Sequence, residues 1–143
     1  MELPENLYTT IEELSAAGSD LADATEFASA ITKWSEALEL LPEPKPDWDA
    51  YTWLSASIGD AQYQLGELEA ARHSFFDALN GPDGQGNPFT HYRLGQCEIR
   101  LGNEASGVSH LLQAYMLDGE AIFSIEEDGI SYLQKLKDKA LIP

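Results

Sequence analysis

Side chains that could take part in catalysis or bind a metal are few in this sequence and stand far apart. Histidine transfers protons and binds zinc, but His73, His91 and His110 form no HExxH or comparable motif. Cys97 could act as a nucleophile only beside a base in an electropositive setting, and the sequence indicates neither. The histidines are therefore interpreted as ordinary surface or packing residues of helices, and Cys97 is expected in the core.

A glycine-rich stretch at residues 83–87, DGQGN, is similar to the start of a calcium-binding loop. An EF-hand loop needs a carboxylate at its twelfth position, and counting from Asp83 that position holds Leu94. A phosphate-binding loop is excluded too, since no Gly-Lys-Ser/Thr follows the glycines. The acidic clusters at residues 12–13 and 126–128 are interpreted as solvated faces. The sequence thus predicts no metal, no cofactor and no enzymatic activity.

The charge of the chain is strongly negative and unevenly spread. Its 143 residues include 25 acidic and 8 basic ones, for a net charge of −17, and residues 1–50 alone hold twelve acids and two bases. This field repels nucleic-acid phosphates and anionic lipid and accelerates encounter with basic proteins, although it would equally serve solubility alone. We therefore expect a basic protein partner, no nucleic acid and no membrane; a homo-oligomer is left open but is not indicated.

The single cysteine, together with the start of the chain, bears on the cellular compartment. Residues 1–5 have neither the basic start nor the apolar run of a secretory signal. Cys97 is the only cysteine, so no intrachain disulfide can form. No stretch approaches the roughly 20 apolar residues of a membrane span. These features favour a reducing, cytoplasmic location and one domain over residues 1–143.

One spacing of small and large residues occurs three times and indicates an internal repeat. In the second copy, Gly59 is followed after 12, 4 and 3 residues by Ala71, Phe75 and Ala78. The same spacings join the corresponding residues of the first copy and of the third. Those sets are Gly18, Ala30, Trp34 and Ala37, and Gly95, Gly107, Leu111 and Ala114.

Each copy is predicted to form two helices joined by a tight turn. The turn falls at Thr25, Gly66 or Gly102, where glycine supplies the left-handed backbone that ends a helix at little cost. Spacings of four and three place a small, a large and a small residue on one face of the second helix. The glycine within the first helix is expected to touch that face, because close packing would offset its low helix propensity.

These residues, from about 11 to 119, resemble the tetratricopeptide repeat (TPR), whose pattern runs W-x2-L-G-x2-Y, A-x3-F and P. The usual Trp is replaced by Leu14, Ser55 and His91. The resemblance implies an all-α fold, a short right-handed solenoid with a concave groove. Its three TPR-like helix pairs span about 8–42, 48–82 and 87–119. The capping region, 120–143, is predicted to start a further helix at 120–123 and to end in an amphipathic helix over 130–141.

The resemblance also implies that the first helix of each pair lines the groove and selects a ligand. The alternative is that the aromatic residues there only pack between repeats, as aromatic stripes usually do. The first two copies have no Lys or Arg on these helices, so a clamp for chaperone carboxylates is not expected. The candidate protein-binding residues are Glu12, Ser19, Asp23, Trp53, Asp60, Tyr63, Tyr92, Arg93, Gln96 and Arg100.

Three functions remain open: two non-enzymatic interaction roles and, as the least favoured, an enzyme or ligand-binding protein. The stretch at residues 36–66 resembles small bacterial TPR proteins associated with polymorphic toxin systems, which implies an immunity protein that neutralises a basic toxin. The alternative is a secretion chaperone of the type III translocator class, which would hold an extended segment in the groove. An enzyme is disfavoured because no constellation of catalytic residues emerges.

Overall fold

A computed structural model describes residues 2–143 as an array of helices, and none of these residues forms a β-strand. The all-α class predicted from the repeat is confirmed. Three short 3-10 turns, Lys45–Asp47, Gly84–Gly86 and Ala121–Ser124, lie between the helices. The seven α-helices are α1 (Glu5–Asp23), α2 (Phe27–Glu39), α3 (Asp49–Gln64), α4 (Leu68–Leu79), α5 (Pro88–Arg100), α6 (Glu104–Asp118) and α7 (Gly129–Asp138).

The turns within the three helix pairs share one backbone conformation. Thr25, Gly66 and Gly102 have φ angles of 61°, 79° and 91°. In each pair, the amide of the residue after the turn bonds a carbonyl five residues earlier, at distances of 2.8, 2.9 and 2.7 Å. This is the Schellman arrangement that closes a helix, and it is where the sequence predicted the turns. Thr25 adopts the left-handed conformation at a steric cost that the two glycines avoid.

The helices of each pair pack closely because a glycine on one faces a large residue on the other. A Cβ atom added at Gly59 would lie 3.0 Å from the Phe75 ring, and one added at Gly95 would lie 2.8 Å from Leu111 Cγ. Gly18 faces the Trp34 indole in the same way. The expectation that the mid-helix glycines touch the neighbouring helix is confirmed.

The proline-rich connector between the first two pairs is held by side chains that bond the end of α2. Lys45 Nζ donates to the carbonyls of Glu39 and Leu41, at 3.0 and 2.7 Å. Trp48 Nε1 donates to the carbonyl of Pro42 at 2.8 Å. These bonds satisfy carbonyls that a helix end leaves unpaired, and they fix the start of α3 against α2.

The residues after α6 fold back over α5. We call residues 120–143 the C-terminal segment; it begins just after Gly119, which has a φ of 65°. Its first part forms the 3-10 turn and not the further helix that the sequence suggested, while α7 is the predicted amphipathic helix. Phe123 and Leu136 are buried in one cluster with Tyr92 and Leu111. Together with α3, α4 and α6, this segment leaves every residue of α5 from 90 to 98 buried.

Candidate functional site

The buried side chain of Arg93 joins three elements at the inner face of α5. Its Nε donates to Asp60 Oδ1 on α3 at 3.0 Å, and its Nη1 donates to Glu126 Oε1 in the C-terminal segment at 2.6 Å. The guanidinium carbon lies 4.5 Å from the centre of the Tyr63 ring, a cation–π contact. Arg93 is only 5% exposed. One guanidinium therefore ties the second helix pair, the third pair and the C-terminal segment together.

Glu126 accepts three hydrogen bonds at a single carboxylate oxygen. The donors are Tyr92 OH at 2.8 Å, Arg93 Nη1 at 2.6 Å and Gln96 Nε2 at 2.9 Å. Burial alone would raise the pKa of Glu126, but bonds from Arg93, Gln96 and Tyr92 outweigh it and lower that pKa. Burial and the bond to Glu126 raise the pKa of Tyr92, so its phenol stays protonated. Interpreting Glu126 as part of a solvated face is therefore wrong.

The C-terminal segment removes three of the candidate binding residues from the open groove. Tyr92, Arg93 and Gln96 are 0%, 5% and 0% exposed, because Glu126 and Phe123 lie over them. Asp60 and Tyr63 are half-buried at the edge of this network. Arg100 is exposed, with its guanidinium carbon 5.4 Å from the Tyr63 ring centre. These six residues form one interconnected cluster, and its interior is structural.

Trp53 lies apart from this cluster, in the wall between two open clefts. It is 39% exposed. The central cleft, of about 330 Å³, runs along α3 and is lined by Ala22, Phe27, Trp34, Thr52, Trp53, Ala56, Ser57, Asp60, Ala61, Asn87 and Phe89. The N-terminal cleft, of about 560 Å³, is lined by Glu2, Leu3, Glu5, Tyr8, Trp48, Asp49, Ala50 and Trp53.

The remaining candidates, Glu12, Ser19 and Asp23, are exposed on α1 and line neither of these clefts. Of the residues that line the N-terminal cleft, sequence reasoning had named only Trp53; Tyr8 and Asp49 are among those it missed. Tyr8 stands four residues before Glu12 on the predicted helix, and that spacing could have revealed it. Asp49 opens α3, and only the packing of α3 beside the start of α1 brings it near Tyr8.

Two histidines that were expected to be unrelated are in contact. His91 and His110 stack with ring centres 5.5 Å apart, and their Nδ1 atoms are 3.3 Å apart. His91 Nε2 lies 3.0 Å from the carbonyl of Gln85, so that nitrogen carries the proton and Nδ1 accepts from His110 Nδ1–H. The expectation that these histidines stand far apart is wrong, because α6 packs directly on α5.

The histidine pair predicts that acid destabilises the fold. Burial, reinforced by the electrostatic interaction with the His91 ring, lowers the pKa of His110 below 6.5, although Glu98 opposes the shift. As pH falls below 6.5, the unfolded chain takes up this proton first, so the stability present above that pH is progressively lost. The free energy of unfolding, measured by urea denaturation, should fall as the pH is lowered through this range. In His110→Gln this dependence on pH should be weaker. His73→Gln is the control, since His73 is exposed; equal slopes in both variants would contradict the assignment.

Cys97 lies in the core, as expected, and is 0% exposed. Burial raises the pKa of its thiol to about 11, so the nucleophilic thiolate is scarce at neutral pH. Across residues 2–143, no group of three or more His, Cys, Asp or Glu residues is placed to hold a metal ion. None of the helices described is both long enough and apolar enough to cross a lipid bilayer.

Comparison with known proteins identifies the fold. The crystal structure of MamA, a TPR-like protein, resembles this chain with a TM-score of 0.66 at 15% sequence identity. The match covers 92% of this chain and 81% of MamA. No protein-family model and no curated protein matches the sequence. At this level of identity the likeness establishes architecture only: the chain has a TPR-like helical fold, a short solenoid closed by its C-terminal segment.

Proposed function

We propose that the protein is a non-enzymatic interaction module that binds a basic protein partner, and that it acts in the cytoplasm as an immunity protein against a bacterial toxin. The observation that carries the proposal is the acidic N-terminal cleft. Glu2, Glu5 and Asp49 line this cleft beside the exposed ring of Trp53. An exposed aromatic residue flanked by like charges suits a small, tight contact with a protein of opposite charge.

The charge of the first helix pair supports the same partner. Of the two basic residues among the first 50, Lys45 is engaged with the carbonyls at the end of α2. The surrounding carboxylates therefore act together on an approaching protein. Such a field accelerates association with a basic partner, and at moderate ionic strength salt screens it beyond a Debye length of about 10 Å.

The secretion chaperone of the type III translocator class is the second candidate, and the central cleft favours it. Ala56, Ser57 and Ala61 line this cleft along α3, with Phe89 also in its wall. Small residues between aromatic ones leave room for an extended apolar segment. Such binding would depend little on salt, which separates it from capture of a folded basic domain.

Affinity capture at low and high salt, followed by growth assays, tests these functions. The immunity proposal expects one basic domain that is lost at high salt, is toxic when expressed alone and is neutralised by co-expression of this protein. The double variant Glu5→Gln/Asp49→Asn should reduce the association rate about tenfold. Glu67→Gln/Glu69→Gln, at exposed positions outside both clefts, is the matched control. An unfolded secreted protein retained at both salts would replace this proposal with the chaperone.

A further inference from the structure

We infer that the N-terminal cleft holds an arginine side chain of the partner, between the rings of Tyr8 and Trp53 and the carboxylates of Glu5 and Asp49. The inference rests on the proposed function, since it names the group by which a basic partner would be held.

The aromatic part of the cleft leaves ring surface exposed to solvent. Tyr8 is 49% exposed and Trp53 is 39% exposed, and both line the cleft. The wall behind them is fixed, because Trp48 is 8% exposed and its indole N–H is bonded to the carbonyl of Pro42. A cation placed against an aromatic face is attracted by the quadrupole of the ring. The cleft is therefore lined by two exposed aromatic side chains beside a buried, hydrogen-bonded indole.

No Lys, Arg or His side chain within residues 2–143 pairs with the acidic part of the cleft. Glu2, Glu5 and Asp49 take part in none of the ion pairs among residues 2–143. Glu5 and Asp49 are the first residues of α1 and α3, where the helix dipole stabilises negative charge. Their backbone positions are thus set by the start of each helix. The charge in the cleft is complementary to a positive group on another molecule.

A guanidinium fits this combination better than an ammonium does. It is planar, so it can stack on Tyr8 or Trp53 while its N–H groups bond a carboxylate in pairs. The cleft volume of about 560 Å³ lies within the range of ordinary ligand sites, and it also admits the backbone beside the arginine. The occupant we assign is therefore an arginine on the surface of a folded, basic partner.

An NMR titration of the full chain with N-acetyl-arginine methylamide tests the inference. The indole N–H groups of Trp34 and Trp48 are bonded to the carbonyls of Ser15 and Pro42, so the Trp53 indole is the responsive reporter. Trp53→Phe assigns its signal. We expect this signal to move with the arginine compound and to stay in place with the neutral citrulline analogue. Added salt should weaken the arginine response at least threefold.

Variants separate recognition of the cation from apolar docking. Glu5→Gln/Asp49→Asn should weaken arginine binding at least threefold, whereas the control Glu67→Gln/Glu69→Gln should leave it within twofold. Circular dichroism and melting curves verify that both proteins are folded. Equal responses to arginine and citrulline, no response at all, or binding unchanged by the cleft variant would each overturn the inference.

The inference and the proposed function fail in different ways. If a toxin is captured and neutralised while the arginine compound leaves Trp53 unmoved, this pocket is wrong and the immunity role stands. If the arginine compound binds the cleft as described but no basic partner is neutralised, the immunity role is wrong and the pocket stands.

Discussion

Arg93→Ala is expected to lower the free energy of unfolding by about 3 kcal/mol, the lower end of the range for breaking a buried ion pair. The loss is large because Asp60, Gln96 and Glu126 all bond the same guanidinium. It stays at the lower end because the Glu126 side chain is 29% exposed, and water can solvate it once the arginine is gone. Urea denaturation measures the change directly, and the melting temperature should fall by about 6–12 °C.

Arg100→Ala is the matched control for this prediction. Arg100 also contacts the Tyr63 ring, but it is exposed and takes part in no ion pair among residues 2–143. Its removal should cost about 1 kcal/mol or less. Hydrogen exchange should show weaker protection near residue 126 in Arg93→Ala only. A loss in Arg93→Ala no larger than in Arg100→Ala would mean that the buried network contributes little to holding the C-terminal segment.

Phe75→Ala is expected to have the largest effect, a loss of about 4 kcal/mol, since removing a buried aromatic ring leaves a cavity that the surroundings fill only in part. Phe75 is 0% exposed and lies in one core cluster with Leu94 and Cys97. Phe76→Ala is the control, because the neighbouring ring is half-buried. Its loss should be at least 1 kcal/mol smaller. Equal losses in urea denaturation would contradict the placement of the ring.

The same ring explains Gly59, and a double-mutant cycle tests the explanation. A Cβ at Gly59 would lie 3.0 Å from the Phe75 ring, so Gly59→Ala should destabilise the natural protein. With Phe75 reduced to alanine, the obstruction is gone, and Gly59→Ala should become stabilising by up to about 1 kcal/mol through helix propensity. The same effect of Gly59→Ala in both backgrounds would refute the link between glycine and ring.

The repeated part of the fold was predictable because local residues determine it. Gly66 and Gly102 fix the turns through a backbone conformation that glycine adopts readily, and Gly59 and Phe75 fix how two adjacent helices meet. Both effects act over short distances in sequence and recur with the repeat. Because three copies share the same spacing, the three helix pairs and their turns could be predicted from the sequence.

The repeat spacing does not determine where the C-terminal segment packs. Nothing in the sequence around Glu126 repeats, and its bonds to Tyr92 and Gln96 span 34 and 30 residues. They exist because the chain reverses near Gly119 and buries Phe123 against Tyr92. For this reason Tyr92, Arg93 and Gln96 were predicted to line an open groove, whereas the C-terminal segment buries them. The only sequence feature that sets His91 apart is that it takes the place of the Trp in the TPR pattern, and this does not indicate contact with His110.

The burial of α5 indicates which part of the helix array unfolds locally first. Residues 90–98 are all buried, whereas α1 buries only Ile11 and Gly18 and ends at the left-handed Thr25. In a linear array, each repeat is stabilised mainly by its neighbours, so local opening starts at the less enclosed terminal repeat. We therefore expect α1 to open more readily than α5. The N-terminal cleft combines residues of α1 with residues at the start of α3. A ligand bound there would therefore stabilise α1 against this local opening.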